Sequence, residues 1–473
     1  MQRYSLLIHF AKLPRFFGLI LSLVRAIFVM LCTWGLLQES VAQDFPFIEP
    51  RFEVMRDAAT IDDQIVTALA QDKRGFIWIG TQDGLVRYDG YRYRKFTHHT
   101  QQANSIVGNY VYSLLAASDG RIWVGTRSDG LSVFNPRTES FDPLHEQTEQ
   151  NNSLSRMMIR ALAEDKQGNI WIGTETGLHL YDIENKKLRN LSQEVPNLGL
   201  LANSVASLLV DKHGQIWLGN GGGLQRLSSD GKRFDTIVVD KDITTLFQAD
   251  DGKIWIGTGS HGAAWLMPPR SGEAIPELHW LDQTYLRGKQ LSSLWITGIT
   301  EGRAGEIWLA TYGGGINIVD ANHGQILQTV RLDLSTPGGL LYDDLKPLLR
   351  DRAGYIWIGT WGVGLQRVNA NNTAIRTLKH SAKRSTGLSH PDVSSLLELQ
   401  DGRLLVGTSG NGIDIIDRKL GLVGGYRMTS SRSNTKGIKL QGLPDKVIPA
   451  LAQTTDGVIW VGTQEAGLLR LHQ

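Results

Sequence analysis

Short apolar runs recur along the chain and are separated by turns that contain glycine. The runs that begin at Val66 (VTALA) and Val205 (VASLL) have a β-branched first residue, which is typical of buried strands. An Asp-x-x-Gly segment usually follows, as at residues 72–75. In such a segment the Asp side chain closes an Asx turn and the glycine adopts a positive φ. Each unit therefore begins with a strand and a hairpin turn.

Three further strands complete the unit. The motif Ile-Trp-Ile-Gly-Thr returns from the first turn, and a second turn ending in glycine leads to a strand of the type Leu-x-x-Tyr-Asp. A weaker run, such as residues 91–96, gives an outer strand. No segment after residue 42 has sustained helical periodicity. Glycine supplies 52 of the 473 residues, which agrees with many tight turns. The expected fold class is all-β, built from four-stranded units.

One position of the second strand, tryptophan in eight copies and leucine in one, marks nine copies of this unit at intervals of 38 to 55 residues. A period of this length holds four short strands and matches the blade of a β-propeller. Because the tryptophan recurs at one position of the unit, we expect it to pack between blades and not to contact ligand. The nine marker residues are Trp78, Trp123, Trp171, Trp217, Trp255, Trp308, Trp357, Leu405 and Trp460.

The first unit, residues 71–90 (QDKRGFIWIGTQDGLVRYDG), resembles the two-component regulator propeller repeat of bacterial hybrid sensor kinases and related exported sensors. The resemblance extends over residues 52–473. Proteins of this family typically carry two seven-bladed propellers, a β-sandwich, a membrane helix and a cytoplasmic histidine kinase or diguanylate cyclase. This sequence ends at Gln473 and contains no motif of an output module. The resemblance therefore implies the sensor end of a receptor that lacks its output module.

The number of units determines how they can be grouped. A propeller must close, because an open ring leaves two sheet edges unpaired. Units one to seven predict a seven-bladed β-propeller over residues 43–385. The last two units, residues 386–473, then form two blades of an incomplete second propeller. A single ring of eight or nine blades is the alternative that the spacing leaves open.

The first 42 residues have the pattern of an export signal. Three basic residues precede an apolar stretch, residues 16–37, and a Ser-x-Ala ending suits cleavage after Ala42. A retained signal anchor is the alternative, because about 20 apolar residues can span a bilayer, but Arg25 interrupts the stretch. In both cases the rest of the chain is exported. The predicted location is the periplasm, with membrane association only through a retained N-terminal segment.

The composition of the exported part narrows the classes of function. Without the first 42 residues, 45 basic and 46 acidic side chains remain, so we expect no basic face for nucleic acid. The single cysteine, Cys32, lies in the N-terminal segment. The body of the chain therefore has no disulfide and no cysteine metal site, and we expect neither a metal ion nor a cofactor.

One position of the unit is free to vary. It lies four residues after each marker, in the turn between the second and third strands, and these turns face the same end of the ring. Tyr312 and Trp361 occupy this position in units six and seven, and aromatic faces with polar neighbours are suited to binding sugar rings. With Arg127 and Glu175 of units two and three, they are the predicted ligand contacts. A second aromatic group, around unit five, comprises Trp265, Trp280 and Trp295.

The sequence thus predicts a periplasmic, ligand-sensing propeller of a signal-transduction receptor of the two-component or cyclic-di-GMP type, and not an enzyme. The expected partners are an extracellular small molecule or oligosaccharide and either a second copy of the chain or a receptor partner. A protein-protein interaction scaffold is one alternative. A propeller-fold lyase or glycoside hydrolase is another, and it requires a carboxylate pair or a histidine with an acidic partner on one rim. The rim residues available for that chemistry are His261, Glu175, Asp83 and Glu465.

Overall fold

The protein is all-β, as predicted. Its described residues form nine antiparallel sheets, eight of four strands and one of three. One four-residue helix, Leu191–Glu194, is the only helix in that part of the chain. Two compact units, residues 46–387 and residues 388–473, are described separately below. The predicted export signal, residues 1–42, lies outside the described residues. The computed structural model describes residues 50–62, 64–142, 154–195, 197–269, 277–281, 290–334, 338–370, 378, 380, 387–417, 421–427 and 442–471.

The first unit begins with strand β1 (Glu53–Met55) and continues with seven sheets, called blades 1 to 7. In blades 1 to 6 the four strands follow one another in chain order. Blade 1 contains β2 (Val66–Gln71), β3 (Ile77–Thr81), β4 (Gly84–Tyr88) and β5 (Tyr93–Phe96). Blade 2 contains β6 (Val111–Ala116), β7 (Ile122–Thr126), β8 (Leu131–Asn135) and β9 (Ser140–Asp142). Blade 3 contains β10 (Ile159–Glu164), β11 (Ile170–Thr174), β12 (Leu178–Asp182) and β13 (Lys187–Asn190).

Blades 4 to 7 repeat this arrangement, and blade 7 contributes three strands of its own. Blade 4 contains β14 (Val205–Val210), β15 (Ile216–Asn220), β16 (Gly223–Leu227) and β17 (Phe234–Val239), and blade 5 contains β18 (Ile243–Gln248), β19 (Ile254–Thr258), β20 (Ala263–Leu266) and β21 (His279–Trp280). Blade 6 contains β22 (Ile296–Glu301), β23 (Glu306–Thr311), β24 (Gly315–Asp320) and β25 (Ile326–Val330). The strands of blade 7 are β26 (Leu345–Arg350), β27 (Tyr355–Thr360) and β28 (Leu365–Asn369).

Blade 7 takes its fourth strand from the start of the unit. In this pairing of β1 with β28, Glu53 lies opposite Arg367 and Met55 lies opposite Leu365. The Nε of Arg367 also donates a hydrogen bond to Glu53 Oε2 at 2.8 Å. The first strands of consecutive blades contact one another in an unbroken circle that ends with β26 against β2. The ring therefore closes at seven blades, and the alternative of one eight- or nine-bladed ring is wrong.

The second unit contains one sheet of four strands and one of three, each with its strands in chain order. The marker position of its first sheet is Leu405, and Leu399 takes the place that Asp72 has in blade 1. Leu405, Ile413 and Ile448 belong to the buried core of this unit. The strands are β29 (Val393–Glu398), β30 (Leu404–Thr408), β31 (Ile413–Asp417) and β32 (Gly421–Tyr426), followed by β33 (Ala450–Gln453), β34 (Ile459–Gly462) and β35 (Leu468–Leu471).

The marker tryptophans of blades 1 to 7, called the tryptophan layer, pack between neighbouring blades. Trp78 of blade 1 shares a buried cluster with Ile122 and Val124 of blade 2. Trp217 of blade 4 shares another with Ile256 of blade 5. Burial of such large side chains is a main source of stability in a sheet stack. The members with less than 2% exposure are Trp78, Trp123, Trp217, Trp255 and Trp357.

The Asp of the first turn bonds both the turn and the tryptophan. Asp72 Oδ1 accepts hydrogen bonds from the backbone N–H groups of Arg74 at 2.9 Å and Phe76 at 3.0 Å, which is the predicted Asx turn. Asp72 Oδ2 accepts a further bond from Trp78 Nε1 at 3.0 Å. The same indole bond recurs in blades 3, 4 and 7, where Trp171, Trp217 and Trp357 donate to Asp165, Asp211 and Asp351 at 2.8 to 3.1 Å.

Blades 2 and 5 lack this acceptor. Alanine stands at the Asp position in both, as Ala117 and Ala249. The Nε1 atoms of Trp123 and Trp255 are buried and have no hydrogen-bond partner among the described residues. A buried donor without an acceptor loses its hydration and gains nothing in return. These two blades therefore keep the shape of the repeat without its full hydrogen bonding.

Candidate ligand-binding site at one end of the ring

One end of the ring, called the top rim, is formed by the turns between the second and third strands. In five blades the backbone N–H of the residue four positions after the marker donates to the carbonyl of the residue just before the first strand. Each variable side chain is thereby fixed beside the start of the first strand of its blade, which we call the inner strand because the first strands contact one another around the centre of the ring. The five donor and acceptor pairs are Gln82 and Ile65 (3.3 Å), Arg127 and Tyr110 (2.9 Å), Gly259 and Asp242 (3.0 Å), Tyr312 and Trp295 (3.0 Å), and Trp361 and Asp344 (3.0 Å).

Three exposed aromatic side chains meet on the top rim at blades 6 and 7. The ring centroids of Trp295 and Tyr312 are 4.8 Å apart, and those of Tyr312 and Trp361 are 6.0 Å apart with the rings nearly perpendicular. Their exposed fractions are 47% for Trp295, 40% for Tyr312 and 37% for Trp361. We call this group the aromatic rim. Large apolar side chains that are both clustered and exposed are typical of binding surfaces.

The second aromatic group expected from the sequence does not hold together. Trp295 contacts Tyr312 of the aromatic rim. Trp265 stacks on His279 with centroids 4.1 Å apart, and Trp280 lies under the ammonium of Lys241. Trp295 was grouped wrongly because its neighbours in sequence belong to blade 5, whereas its position at the start of β22 places it in blade 6.

Buried polar side chains of the third strands hold the backbone of this rim. Asn317 accepts a hydrogen bond from the N–H of Ser292 at 3.1 Å and donates to Ser292 Oγ at 2.7 Å. Ser292 lies three residues before Trp295. In blade 7, Gln366 Oε1 accepts from the N–H of Leu341 at 3.0 Å. The loops that lead into β22 and β26 are therefore fixed independently of the exposed rings.

The second residue of the inner strand varies between blades. In blades 1, 5 and 6 it is threonine, whose hydroxyl donates at 2.5 to 2.8 Å to the carbonyl of the first residue of the next inner strand. In blades 2, 3 and 7 a long side chain replaces the threonine. The residues at this position are Thr67, Tyr112, Arg160, Ala206, Thr244, Thr297 and Lys346.

Lys346 of blade 7 contacts a side chain of a blade that is not its neighbour. Its ammonium nitrogen lies 3.7 Å from the ring centroid of Tyr112, which belongs to blade 2. These blades are not neighbours, because blade 1 stands between them, so the two side chains meet over the central channel. The same ammonium is 5.9 Å from the ring of Trp361. Lys346 therefore joins the channel to the aromatic rim.

Arg127 and Arg160 lie close enough to Lys346 for their charges to repel its ammonium, and we call Arg127, Arg160 and Lys346 the cationic channel mouth. Arg160 donates to Ser204 Oγ at 3.2 Å, but its Nε is buried without a partner among the described residues. Arg127 lies over the ring of Tyr110 at 5.1 Å. The pKa of Lys346 is lowered to about 7, mainly because the ammonium is buried and further because Arg160 and Arg127 repel it. Within the part of the chain that the structure describes, none of the three forms an ion pair.

The four predicted contacts are placed differently. Tyr312 and Trp361 contact each other, and Arg127 acts on Lys346 beside Trp361. Glu175 lies on the exposed turn between β11 and β12. No ion pair of Glu175 with another described residue is present. Sequence reasoning missed Arg160 and Lys346, although reading the second inner-strand position across units would have shown them as departures from threonine.

The described residues contain neither a cluster suited to a metal ion nor a membrane-spanning helix. No group of three or more His, Cys, Asp or Glu side chains among the described residues could hold a metal ion. The single helix in the described ranges has four residues, too few to span a bilayer.

The seven-bladed ring places this chain among the β-propellers, and the repeats themselves identify its type. The family model described as two component regulator propeller matches residues 60–83, 105–128, 153–176, 238–260 and 442–465. Each match contains the first two strands of a sheet and ends in the turn that follows the second strand. The chain therefore carries two component regulator propeller repeats. Among curated proteins, no sequence matches it.

Several solved structures are similar to this chain in fold. The extracellular domain of a putative hybrid two component system from B. thetaiotaomicron has a TM-score of 0.70 and 24% identity, over 90% of this chain and 54% of that one. The extracellular domain of a putative one component system from the same organism has a TM-score of 0.55 and 20% identity, over 89% and 52%. PorZ, a surface component of the type-IX secretion system of Porphyromonas gingivalis, has a TM-score of 0.52 and 16% identity, over 89% and 61%. The chain thus spans about half to three fifths of their lengths.

Proposed function

We propose that this protein is the ligand-sensing propeller region of an exported signal-transduction receptor, and that the ligand binds at the top rim of the first unit. The observation that carries the proposal is the aromatic rim of Trp295, Tyr312 and Trp361 beside an unpaired cationic channel mouth. Two component regulator propeller repeats support the receptor class. The receptor's output would come from a histidine kinase or diguanylate cyclase module, and the expected location is the periplasm.

The ligand class is an extracellular small molecule or oligosaccharide. Exposed aromatic rings bind the apolar faces of sugar rings by stacking, and nearby polar groups select hydroxyls. Tyr312 and Trp361 would supply the stacking faces, while Arg127 of blade 2 and Glu175 of blade 3 would supply polar contacts. A second copy of the chain or a receptor partner would transmit the signal.

The test is a double variant, Tyr312→Ala with Trp361→Ala, assayed against a panel of oligosaccharides and small metabolites. We expect binding to fall at least tenfold while the melting temperature stays within about 2 °C, because both rings are exposed and their loops are held by Asn317 and Gln366. The matched control is Tyr91→Ala, which removes a ring that is 93% exposed in the turn between β4 and β5. Unchanged binding, or unfolding of the double variant, would contradict the proposal.

A catalytic function is the second candidate, because one rim histidine has an acidic partner. His261 Nδ1 lies 3.5 Å from Asp242 Oδ1, and Ser260 Oγ donates to the same carboxylate oxygen at 2.8 Å. A lyase or glycoside hydrolase acting here would use His261 as its acid or base. Turnover of a bound oligosaccharide that is lost in His261→Ala would favour this function over sensing.

A further inference from the structure

We propose that Arg127, Arg160 and Lys346 form an anion-binding site at the channel mouth, so that the sensed ligand carries a carboxylate, sulfate or phosphate group attached to a ring. This inference rests on the proposed function and specifies the ligand chemistry of the same rim. The anionic group would enter the channel mouth, and the ring would lie on Trp361 and Tyr312.

The first argument is the cost of leaving these cations unpaired. Charged groups that lose water need a partner of opposite charge or a set of hydrogen bonds. Lys346 is partly buried and has the face of Tyr112 as its nearest described partner. The nearest charges acting on it are the positive charges of Arg160 and Arg127. A bound anion would remove the mutual repulsion of all three groups.

The second argument comes from the repeat itself. Threonine at the second inner-strand position makes a hydrogen bond to the next blade, as Thr67 does at 2.5 Å. Arg160 and Lys346 replace that threonine in blades 3 and 7, so these blades lack the threonine bond at this position. The ring does not require long cationic side chains at this position in order to fold, since blades 1, 5 and 6 bond to their neighbours through threonine.

The third argument is an unused donor. Arg160 binds Ser204 through Nη1 at 3.2 Å, and its buried Nε has no acceptor among the described residues. A guanidinium group presents Nε and a terminal nitrogen in the fork that matches two oxygens of a carboxylate, sulfate or phosphate group. Arg160 is therefore shaped to hold the anionic group, with Lys346 and Arg127 contributing charge.

The probes are inorganic sulfate, inorganic phosphate, glucuronate and glucose, titrated into the full chain by calorimetry at pH 6 and at constant ionic strength. Glucuronate and glucose differ in the carboxylate, and the inorganic ions separate the anionic group from the ring. We expect glucuronate to bind at least tenfold more tightly than glucose and more tightly than either inorganic ion. Sulfate or phosphate should compete with it.

The charge variants are Lys346→Met, which keeps most of the side-chain length and removes the charge, and Arg160→Gln, which replaces the guanidinium by a shorter neutral amide. Each should weaken glucuronate binding at least tenfold without lowering the melting temperature by more than about 2 °C. The matched control, Arg92→Gln, removes an exposed arginine between β4 and β5 and should leave affinity unchanged. Equal binding of glucuronate in Lys346→Met, Arg160→Gln and wild type would overturn the inference.

The two proposals fail in different ways. If a neutral sugar binds, depends on Tyr312 and Trp361, and is indifferent to Lys346→Met, the rim is a sensor site and the anion inference is wrong. If glucuronate binds through Lys346 but not through the aromatic rings, the anion inference holds and the stacking part of the proposed function is wrong. If no probe binds the wild-type chain, the anion inference is overturned.

Discussion

The tryptophan layer and the channel mouth are built on the same repeat, yet they differ in whether their buried polar groups have partners. In the layer, the fully buried Trp217 donates to Asp211 at 2.9 Å, and the pairing recurs in blades 1, 3 and 7. At the mouth, Lys346 and Arg160 lie together without a carboxylate among the described residues. The difference indicates that the layer is organised for stability, whereas the mouth retains repulsion among cations, which the proposed ligand would relieve.

Blades 2 and 5 show that the layer tolerates defects. Trp123 keeps its buried position although Ala117 offers its Nε1 no acceptor. Shape complementarity therefore matters more than the indole hydrogen bond for placing the tryptophan. In the first sheet of the second unit, Leu405 and Leu399 occupy the two positions together, so this sheet has no marker indole N–H to satisfy.

The largest effect is expected in the layer. Trp217→Ala should lower the free energy of unfolding by about 3–5 kcal/mol, because it opens a cavity between blades 4 and 5. Trp295→Ala, at the aromatic rim, should change it by less than about 0.5 kcal/mol. Chemical denaturation of both variants measures the difference. Similar values for the two would contradict the division between a stabilising layer and a binding rim.

A smaller effect is expected from supplying the missing acceptor. Ala117→Asp should raise the free energy of unfolding by about 1 kcal/mol, since the new carboxylate can accept the buried N–H of Trp123. The converse change, Asp211→Ala, should lower it by about 1–3 kcal/mol by leaving Trp217 Nε1 without an acceptor. Urea denaturation at pH 7 measures both. If Ala117→Asp destabilises the protein, desolvation of the carboxylate outweighs the new bond.

The sequence predicts what the repeat encodes locally. The strand order, the Asx turn of Asp72 and the burial of Trp78 all follow from residues close together in the chain. Strand β1 could not be predicted, because three residues with one buried side chain carry no alternation, and their partner strand is β28 at the far end of the unit. Ring closure supplies that pairing, and it is a property of the whole circle.

The candidate site could be predicted only in part, again because some of its contacts join residues that are far apart in the chain. Tyr312 and Trp361 stand out in sequence because they interrupt glycine-rich turns. Tyr112 and Lys346 do not, since each looks like an ordinary strand residue until blades 2 and 7 face each other across the channel. Contacts between non-neighbouring blades have no local signal, although comparing equivalent positions of the repeats marks the residues that make them.

The smallest effect is expected from restoring the repeat at the mouth. Lys346→Thr should raise the free energy of unfolding at pH 6–7 by about 1 kcal/mol, because threonine can make the bond to the next blade and the repulsion among cations falls. The pKa of Lys346 is about 7 in the folded protein and higher when unfolded, so between these values the unfolded state binds more protons. Wild-type stability should therefore rise with pH from about 7 towards 10, and the advantage of Lys346→Thr should shrink over that range. The control is Lys232→Thr, a change at an exposed turn residue, which should keep the wild-type pH profile. Thermal melts at pH 6, 8 and 10 compare the stabilities of wild type and the two variants. If the stability gained by Lys346→Thr does not change with pH, the Lys346 ammonium is not destabilised in the folded protein.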